Sequence, residues 1–181
     1  MAEADRRRWD ERYLTKGTPA DAIEPPGVLS RYADVFPTGG RGLDLACGQG
    51  QGAVWLAARG MEVLGLDVSP VAIGQARDLA RRHGVADRCR FDVADFDDGL
   101  PNGPPADVIV CHRFRDRRLD RAIIDRLAPG GLLAITALSE MGAAPGPFRV
   151  AAGELPAAFA ELDLVAAGEG EGLAWLLASR A

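Results

Sequence analysis

The chain has 181 residues, and its 21 lysine and arginine residues against 26 aspartate and glutamate residues give a formal net charge of −5. At roughly 150 residues per domain, this length predicts one domain that buries a core without a disulfide or metal staple. Hydrophobic residues make up 48% of the chain and charged residues 26%, which is typical of a folded globular protein. The acidic balance argues against nucleic acid as a partner, because that affinity depends on neutralising phosphates.

Residues 1–39 are predicted to form a helical lead-in. Short helices are expected at 5–14 and 27–36. Between them lies a polar stretch in which Thr18-Pro19 and Pro25-Pro26-Gly27 break helical structure.

From residue 41 onward, short apolar runs alternate with helical segments. Strands are predicted at 41–46, 61–67, 88–95, 106–111 and 131–138, and helices at 51–60, 70–83 and 116–127. Ser69 suits the N-cap of the helix at 70–83, Pro70 its first position and Gly84 its exit. Strands joined by helical crossovers predict an α/β fold with a largely parallel sheet covered on both faces.

The C-terminal part is predicted to complete the sheet with a hairpin. After a loop rich in glycine and proline at 141–147 and a short helix at 154–160, two apolar strands follow at 162–168 and 172–179. Because a tight polar turn joins them, we expect an antiparallel pair at the sheet edge. Such an edge is compatible with two oligomeric states, a monomer and a homodimer.

The segment DLACGQGQG at 44–52 lies where the first strand should end and the first crossover helix begin. Glycines are needed there if the chain turns sharply while a ligand approaches its backbone, and a helix N-terminus supplies free N–H groups. Asp67 follows Gly48 by 19 residues, the spacing at which a carboxylate can accept hydrogen bonds from both ribose hydroxyls of an adenosine. We therefore expect an adenosine-containing cofactor; the alternative interpretation is a tight turn and a helix-capping aspartate.

The glycines alone leave the cofactor open, because Gly48, Gly50 and Ala53 also satisfy the GxGxxG/A pattern of nicotinamide and flavin proteins. Asp44 would repel a pyrophosphate but could meet a cationic ligand. Asp95, which ends the third strand, offers an acceptor to an adenine amino group, and Phe96 offers an aromatic flank. The chain is also too short to hold a dehydrogenase's catalytic domain, so these features favour S-adenosyl-L-methionine (SAM).

The motifs DLACGQGQG, LGLDVS, VADF, DVIVCHRF and LAPGGLL occur in this order and resemble those of class I SAM-dependent methyltransferases. The resemblance runs from about residue 40 to the C-terminus and implies a SAM-binding domain at 40–181. That domain would be a Rossmann-like three-layer sandwich with a seven-stranded sheet in the order 3-2-1-4-5-7-6, its seventh strand antiparallel. In the lead-in, Trp9-Asp10-x-Arg12-Tyr13 is similar to the small tellurite-resistance-like branch.

The resemblance also implies roles for individual residues. Asp44, Cys47, Gly48 and Gly50 would line the methionine end of SAM, Asp67 would hold the ribose hydroxyls, and Asp95 with Phe96 would border the adenine. Val68 and Cys111 are assigned to the same cofactor site. The product would be S-adenosyl-L-homocysteine (SAH), and no metal is expected.

Methyl transfer chiefly requires that the acceptor be aligned and water excluded. His112 and Arg113 end the fourth strand, where class I enzymes place residues that face the transferred methyl group. His112 is a candidate general base, the alternative being a structural or substrate-orienting histidine. His83 is expected to be an exposed residue at a helix C-terminus.

The arginine-rich run HRFRDRRLDR at 112–121 is usually a solvated helix face. The functional alternative is that Arg113 or Arg115 binds an anionic acceptor, because guanidinium groups suit carboxylates and oxyanions. Trp9, Tyr13 and the loop at 141–148 are candidate lids over the site, with ordinary packing as the alternative.

Cys47, Cys89 and Cys111 are widely spaced and form no CxxC or Cys/His cluster, so neither a disulfide nor a zinc site is expected. The first residues, MAEADRRRWDERY, have no apolar run behind their charges, and no stretch of about 18 apolar residues occurs. A cytoplasmic protein with no membrane partner is expected. The activity predicted is SAM-dependent methylation of a small molecule; the alternatives are a SAM-binding protein without transferase activity and an NAD(P)-dependent reductase.

Overall fold

One mixed sheet organises the computed structural model, which describes residues 3–25, 27–146 and 148–181. The predicted breaker Pro26 and the predicted loop residue Pro147 lie outside these ranges. The strands are β1 (Arg41–Leu45), β2 (Glu62–Asp67), β3 (Cys89–Val93), β4 (Ala106–His112), β5 (Leu127–Ser139), β6 (Arg149–Val150), β7 (Asp163–Gly170) and β8 (Leu173–Ser179).

The strand order is β3-β2-β1-β4-β5-β8-β7, and β8 runs antiparallel to both of its neighbours. The remaining pairs in this path are parallel. The predicted order 3-2-1-4-5-7-6 with an antiparallel seventh strand is confirmed. The prediction omits β6, which pairs with the end of β5 through Leu138 and Arg149, because two residues carry no detectable hydropathy pattern.

The helices are α1 (Glu3–Lys16), α2 (Gln51–Ala58), α3 (Pro70–Arg82), α4 (Asp120–Arg126) and α5 (Glu154–Ala158). The helix predicted at 70–83 is confirmed, and Ser69 caps it by accepting a hydrogen bond from the Ala72 N–H at 3.1 Å. The helix predicted at 27–36 is instead a 3₁₀ segment at Gly27–Val35, kinked at Tyr32. The helix predicted at 116–127 is a 3₁₀ turn at Arg117–Leu119 followed by α4.

Two apolar clusters cover the opposite faces of the sheet. One contains Ile109 together with Ile123 of α4 and Leu155 of α5. The other contains Val108 with Leu56 of α2 and Leu79 of α3. Because alternate residues of β4 enter different clusters, the sheet is the middle of three layers, as predicted. No helix of the described ranges is long and apolar enough to cross a membrane.

The predicted hairpin is β7–β8. Its two turn residues, Glu171 and Gly172, have φ angles of 52° and 76°, the positive values that a two-residue type I′ turn requires. The start of β5 differs from the prediction, because the strand begins at Leu127 rather than at residue 131. Gly130 has φ 74° and donates its N–H to the Arg180 carbonyl at 2.8 Å, which keeps this irregular end in the sheet.

Candidate active site

The glycine loop after β1 lies at the carboxyl edge of the parallel strands. Gly48 and Gly50 both have positive φ angles, 53° and 82°. A Cβ on Gly50 would lie 2.6 Å from the Ala76 Cβ of α3, so close packing of loop against helix requires this glycine. A Cβ on Gly48 would lie 2.8 Å from the Tyr13 hydroxyl, so the surface of that glycine faces the N-terminal helix. The two glycines thus allow the loop to pack closely against its neighbouring helices, in addition to leaving its backbone accessible to a ligand.

Asp67 ends β2 beside this loop and is 5% exposed. Its Oδ2 accepts the Gly48 N–H at 2.8 Å, and its Oδ1 accepts the Ser69 N–H at 2.9 Å. Burial raises the pKa of Asp67 above its usual value, although these backbone N–H groups oppose the shift. The carboxylate therefore ties the glycine loop to the start of α3, and each oxygen retains a lone pair for a further donor.

Asp44 on β1 is the second buried carboxyl group at this edge, with 3% exposure. Burial raises its pKa to about 7, and the charge of Asp67 adds to the increase. A hydrogen bond from the Ala53 backbone at the start of α2 opposes it. Within the described residues, neither Asp44 nor Asp67 forms an ion pair with lysine or arginine. Two buried carboxyl groups without a counterion favour the binding of a cationic ligand, because an opposite charge stabilises their ionised form.

Other residues assigned to the cofactor site lie around these carboxyl groups. Cys47 is half-buried in the loop, and burial raises the pKa of its thiol well above the usual value, so the thiol stays protonated. Cys111 on β4 is 1% exposed, and burial raises its pKa as well. Val68 is buried next to Asp67. These neutral side chains lie near the two carboxyl groups and have no reactive character.

Asp95 and Phe96 follow β3 farther along the same edge. Asp95 Oδ1 accepts the Asp97 N–H at 3.0 Å and caps a short 3₁₀ turn at Phe96–Asp98. The Phe96 ring is 3% exposed and packs against Phe114 with ring centroids 5.3 Å apart. The ring therefore belongs to the core and presents little free surface to a neighbouring ligand.

His112, Arg113 and Thr136 meet at the carboxyl end of β4. His112 is opposite Thr136 in the β4–β5 register. The buried Thr136 Oγ1 lies 2.9 Å from His112 Nδ1 and accepts the Arg113 N–H at 2.9 Å. Desolvation, followed by the charges of Arg113 and Lys16, lowers the pKa of His112 to about 4, so the imidazole is neutral near pH 7. Arg113 itself is exposed, with φ 53°.

Arg115 does not share the exposure of Arg113. Its side chain is 5% exposed, pairs with Asp120, and lies 3.2 Å from Glu154. Two carboxylates already occupy its guanidinium group, which argues against Arg115 as the residue that binds an acceptor. The rest of the run agrees with a solvated face: the side chains of Arg117, Arg118 and Arg121 are at least 60% exposed.

Helix α1 lies across the glycine loop and the start of α3. Tyr13 is half-buried, and burial together with the charge of Asp67 raises the pKa of its hydroxyl. Polar contacts hold the helix in place: Ser69 Oγ donates to Asp10, Gln75 Nε2 donates to the Tyr13 carbonyl at 3.2 Å, and Gln49 Nε2 donates to the Gly17 carbonyl at 2.7 Å. No residue of α1 is buried. The helix therefore covers the loop without joining the core.

The loop between β5 and β6 contacts α1. The guanidinium carbon of Arg8 lies 5.8 Å from the centroid of the Phe148 ring, and Phe148 is 68% exposed. The same arginine lies 5.9 Å from the Trp9 ring, which stacks on Tyr13 at 5.9 Å between centroids. The two predicted lid segments are thus in contact.

Sequence reasoning missed Thr136, Gln49, Gln75 and the contact of Asp10. Gln49 stands inside the glycine loop, and Asp10 within the quoted N-terminal motif, so both had a positional signal. Thr136 had none, because it is an ordinary β-branched residue in an apolar strand.

His83, expected to be exposed, is half-buried as the C-terminal cap of α3. Across the described ranges, no group of three or more His, Cys, Asp or Glu side chains could hold a metal ion.

Comparison with known proteins places this geometry among methyltransferases. A family model described as a methyltransferase domain matches residues 43–131. Ribosomal protein L11 methyltransferase of Photobacterium profundum is 35% identical over 104 residues, which are 56% of this chain and 34% of that protein. The family match favours a methyltransferase over a reductase.

Two solved structures share the fold. TehB from Haemophilus influenzae has a TM-score of 0.77 at 20% identity, over 95% of this chain and 67% of that chain. A SAM-dependent methyltransferase from Geobacter sulfurreducens, in complex with SAH, has a TM-score of 0.66 at 18% identity, over 88% and 93% of the two chains.

The chain spans only part of the curated relatives it matches, 34% and 36% of the first two in length. The region of similarity nevertheless contains the glycine loop, Asp67 and the end of β4. Sheet order, the methyltransferase-domain match at residues 43–131 and the structural likeness together indicate a class I methyltransferase domain.

Proposed function

We propose that this protein transfers a methyl group from SAM to a small-molecule acceptor, and that positioning of the two reactants is its main contribution to the rate. The observation that carries the proposal is the pair of buried carboxyl groups, Asp44 and Asp67, beside the glycine loop. Among the described residues they have no cationic partner. A cationic, ribose-bearing ligand would supply both the missing charge and the missing hydrogen-bond donors.

The residues present fit SAM. Asp44, Cys47, Gly48 and Gly50 would surround the methionine end, where the ligand carries its ammonium and sulfonium charges. Asp67 would accept the ribose hydroxyls on the lone pairs that the Gly48 and Ser69 N–H groups leave open. When bound, SAM supplies a methyl group already activated by the sulfonium.

The remaining cofactor residues would enclose the nucleoside. Asp95 and Phe96 would border the adenine, Phe96 through its backbone and ring edge because its ring is packed in the core. Val68 and Cys111 would complete the apolar wall. These side chains contribute shape and exclude water rather than react.

Residues 1–39 would act as a lid over the domain formed by 40–181. Tyr13 already lies against Gly48, and Phe148 meets Arg8 of the same helix. A site covered by this helix would exclude water and admit a compact acceptor more easily than a folded protein surface.

The basic groups at the end of β4 would select the acceptor. The charges of Arg113 and Lys16 both lower the pKa of the His112 imidazole. Arg113 forms no ion pair within the described chain. An acceptor with a negatively charged group would therefore be drawn to the end of β4. His112 and Arg113 are the residues proposed to contact it.

The cofactor assignment is tested by calorimetric titration with SAM, SAH and NADH. We expect micromolar binding of SAM and SAH, loss of that binding in Asp67→Ala, and unchanged binding in Asp163→Ala, which alters an exposed aspartate of β7. Binding of NADH alone would overturn the proposal.

Turnover is tested separately, by following SAH release with a panel of small carboxylates, thiols and oxyanions and with ribosomal protein L11. Release with a small anionic compound supports the proposal. Release only with the protein would assign a protein acceptor. SAM binding without turnover of any acceptor would favour a binding protein without transferase activity.

The acceptor contact is tested by Arg113→Ala, with the exposed Arg117→Ala as its matched control. We expect the acceptor KM to rise about tenfold in Arg113→Ala, as expected for loss of one charge-assisted hydrogen bond. Equal KM values in the two variants would remove Arg113 from the site.

A further inference from the structure

The buried hydroxyl of Thr136 determines which nitrogen of His112 carries the proton. Thr136 is 2% exposed, and its Oγ1 has two neighbours at hydrogen-bond distance, the Arg113 N–H and His112 Nδ1, each at 2.9 Å. The backbone N–H can only donate, so Oγ1 accepts from it. The hydroxyl proton then needs an acceptor of its own, because an unsatisfied buried donor is costly.

Within the described residues, Thr136 Oγ1 has no hydrogen-bond partners besides these two. His112 Nδ1 is therefore the one acceptor available to the hydroxyl proton. A nitrogen that accepts a hydrogen bond carries no proton, and a neutral imidazole then bears its proton on Nε2. His112 is exposed at the end of β4, but partial desolvation of the ring and the charges of Arg113 and Lys16 lower its pKa, so the imidazole is neutral near pH 7.

We infer that Thr136 is a positioning residue which holds His112 as the Nε2–H tautomer, so that His112 donates a hydrogen bond to the methyl acceptor and does not remove its proton. This role of His112 rests on the proposed methyl transfer. It excludes the general-base role for His112, since a base needs a free lone pair on the nitrogen that meets the acceptor. It also narrows the acceptor to groups that offer a lone pair without a proton to lose, such as a carboxylate, an oxyanion or a thiolate.

The backbone at Arg113 supports this arrangement. Arg113 has φ 53°, in the left-handed region that costs a non-glycine residue energy. The Arg113 N–H donates to Thr136 Oγ1, which uses the oxygen as an acceptor and leaves the hydroxyl proton for His112.

The test is nitrogen NMR of protein labelled with ¹⁵N-histidine, at a pH near 7.5 in the presence of SAH. The chain has two histidines, so His83 serves as an internal reference in each spectrum. We expect His112 to show a protonated Nε2 and an unprotonated Nδ1 in the wild type and in Thr136→Ser, which keeps the hydroxyl. In Thr136→Val, the excess of the Nε2–H tautomer should fall about tenfold, as one net hydrogen bond is lost.

A protonated Nδ1 in the wild type would overturn the inference, as would an unchanged tautomer ratio in Thr136→Val. Should Thr136→Val fail to fold, the wild type and Thr136→Ser still decide the outcome. SAH affinity, measured on the same samples, reports independently on the proposed function: loss of SAH binding would refute the cofactor assignment and leave the tautomer measurement standing.

Discussion

The charge of Asp67 adds to burial in raising the pKa of Asp44 to about 7. The two carboxyl groups end or nearly end the neighbouring strands β1 and β2, which run parallel. Parallel pairing thus brings together two groups that repel each other when both are ionised. A ligand with positive charge relieves that repulsion, so cofactor binding and the protonation state of Asp44 are thermodynamically linked.

We expect the affinity for SAM to fall as the pH drops below 7. Protonated Asp44 must release its proton before it can meet a cation, so the affinity should fall by up to about tenfold per pH unit below the pKa and be constant above about pH 8. Calorimetry in two buffers with different ionisation enthalpies would measure the released proton. Binding near pH 6 with no proton release would contradict the linkage.

Asp44→Asn is expected to stabilise the protein while weakening its affinity for SAM. The folded pKa of about 7 lies above the ordinary value of 3.8. The stability that the carboxyl group contributes is therefore complete below about pH 4 and is lost as the pH rises through 7. At pH 8 the amide should raise the free energy of unfolding by about 0.5–2 kcal/mol. Urea titration measures this, with Asp163→Asn as an exposed control.

The wild type and Asp44→Asn should differ least in stability at about pH 3 and below, where Asp44 is mostly protonated in both the folded and the unfolded chain. A stability gain that is the same at about pH 3 and at about pH 8 would show that charge is not its cause. SAM affinity at pH 8 should fall by about tenfold or more in Asp44→Asn, because a neutral amide attracts a cation less.

The sheet was predictable because its signals are local and repeated. Each parallel strand is a short apolar run followed by a helix whose boundaries carry their own chemistry, as Ser69 and Pro70 do for α3. The elements whose structure differs from the prediction depend on contacts between residues that are distant in sequence. The irregular start of β5 is held by Arg180, and the 3₁₀ segment at Gly27–Val35 is kinked at Tyr32; no local pattern encodes either one.

The candidate site was predictable where the backbone dictates the residue type. The positive φ angles of Gly48 and Gly50 and the place of Asp67 at the end of β2 follow from the turn between strand and helix. Arg113 and Arg115 could not be separated, because only the fold brings Asp120 and Glu154 to one of them. Thr136 reaches His112 through strand register, which the sequence of either strand alone does not reveal.

Tyr13→Ala is expected to weaken SAM binding without unfolding the protein. Helix α1 contributes no buried residue to the core, so the free energy of unfolding should change by less than about 1 kcal/mol. The Tyr13 hydroxyl lies against Gly48, and loss of this cover should reduce SAM affinity by about five- to tenfold. Leu14→Ala, which alters a 65% exposed residue of the same helix, is the control for calorimetry. Equal affinities in the two variants would argue against a lid.

Arg115→Met should destabilise the fold, whereas Arg118→Met should not. Arg115 is 5% exposed, and its removal would leave Asp120 without a close counterion, whereas Glu154 would keep its ion pair with Arg117. We expect a loss of about 2 kcal/mol, less than for a fully buried pair because Arg117 still contacts Glu154. The Arg118 side chain is 64% exposed, so loss of its ion pairs with Asp97 and Asp116 should leave the free energy of unfolding nearly unchanged. Thermal denaturation of both variants measures the difference.

The Arg113→Gly variant tests the effect of the strained backbone at residue 113 on stability separately from the role of its side chain in acceptor binding. Arg113 and Glu171 have nearly the same φ angles, 53° and 52°, but Glu171 lies in the β7–β8 turn. Glycine should relieve the strain at both positions and raise the free energy of unfolding by about 0.5–1 kcal/mol, less the entropy that glycine adds to the unfolded chain. Denaturant titration would show similar shifts for the two variants.

Only Arg113→Gly should impair turnover, because the Glu171 turn lies in no proposed contact with the acceptor. If both variants gain stability and both keep full activity, the left-handed backbone at residue 113 is a feature of the strand end alone. If Arg113→Gly gains stability and loses activity while Glu171→Gly keeps it, the strain at Arg113 persists because it holds a side chain that the reaction uses.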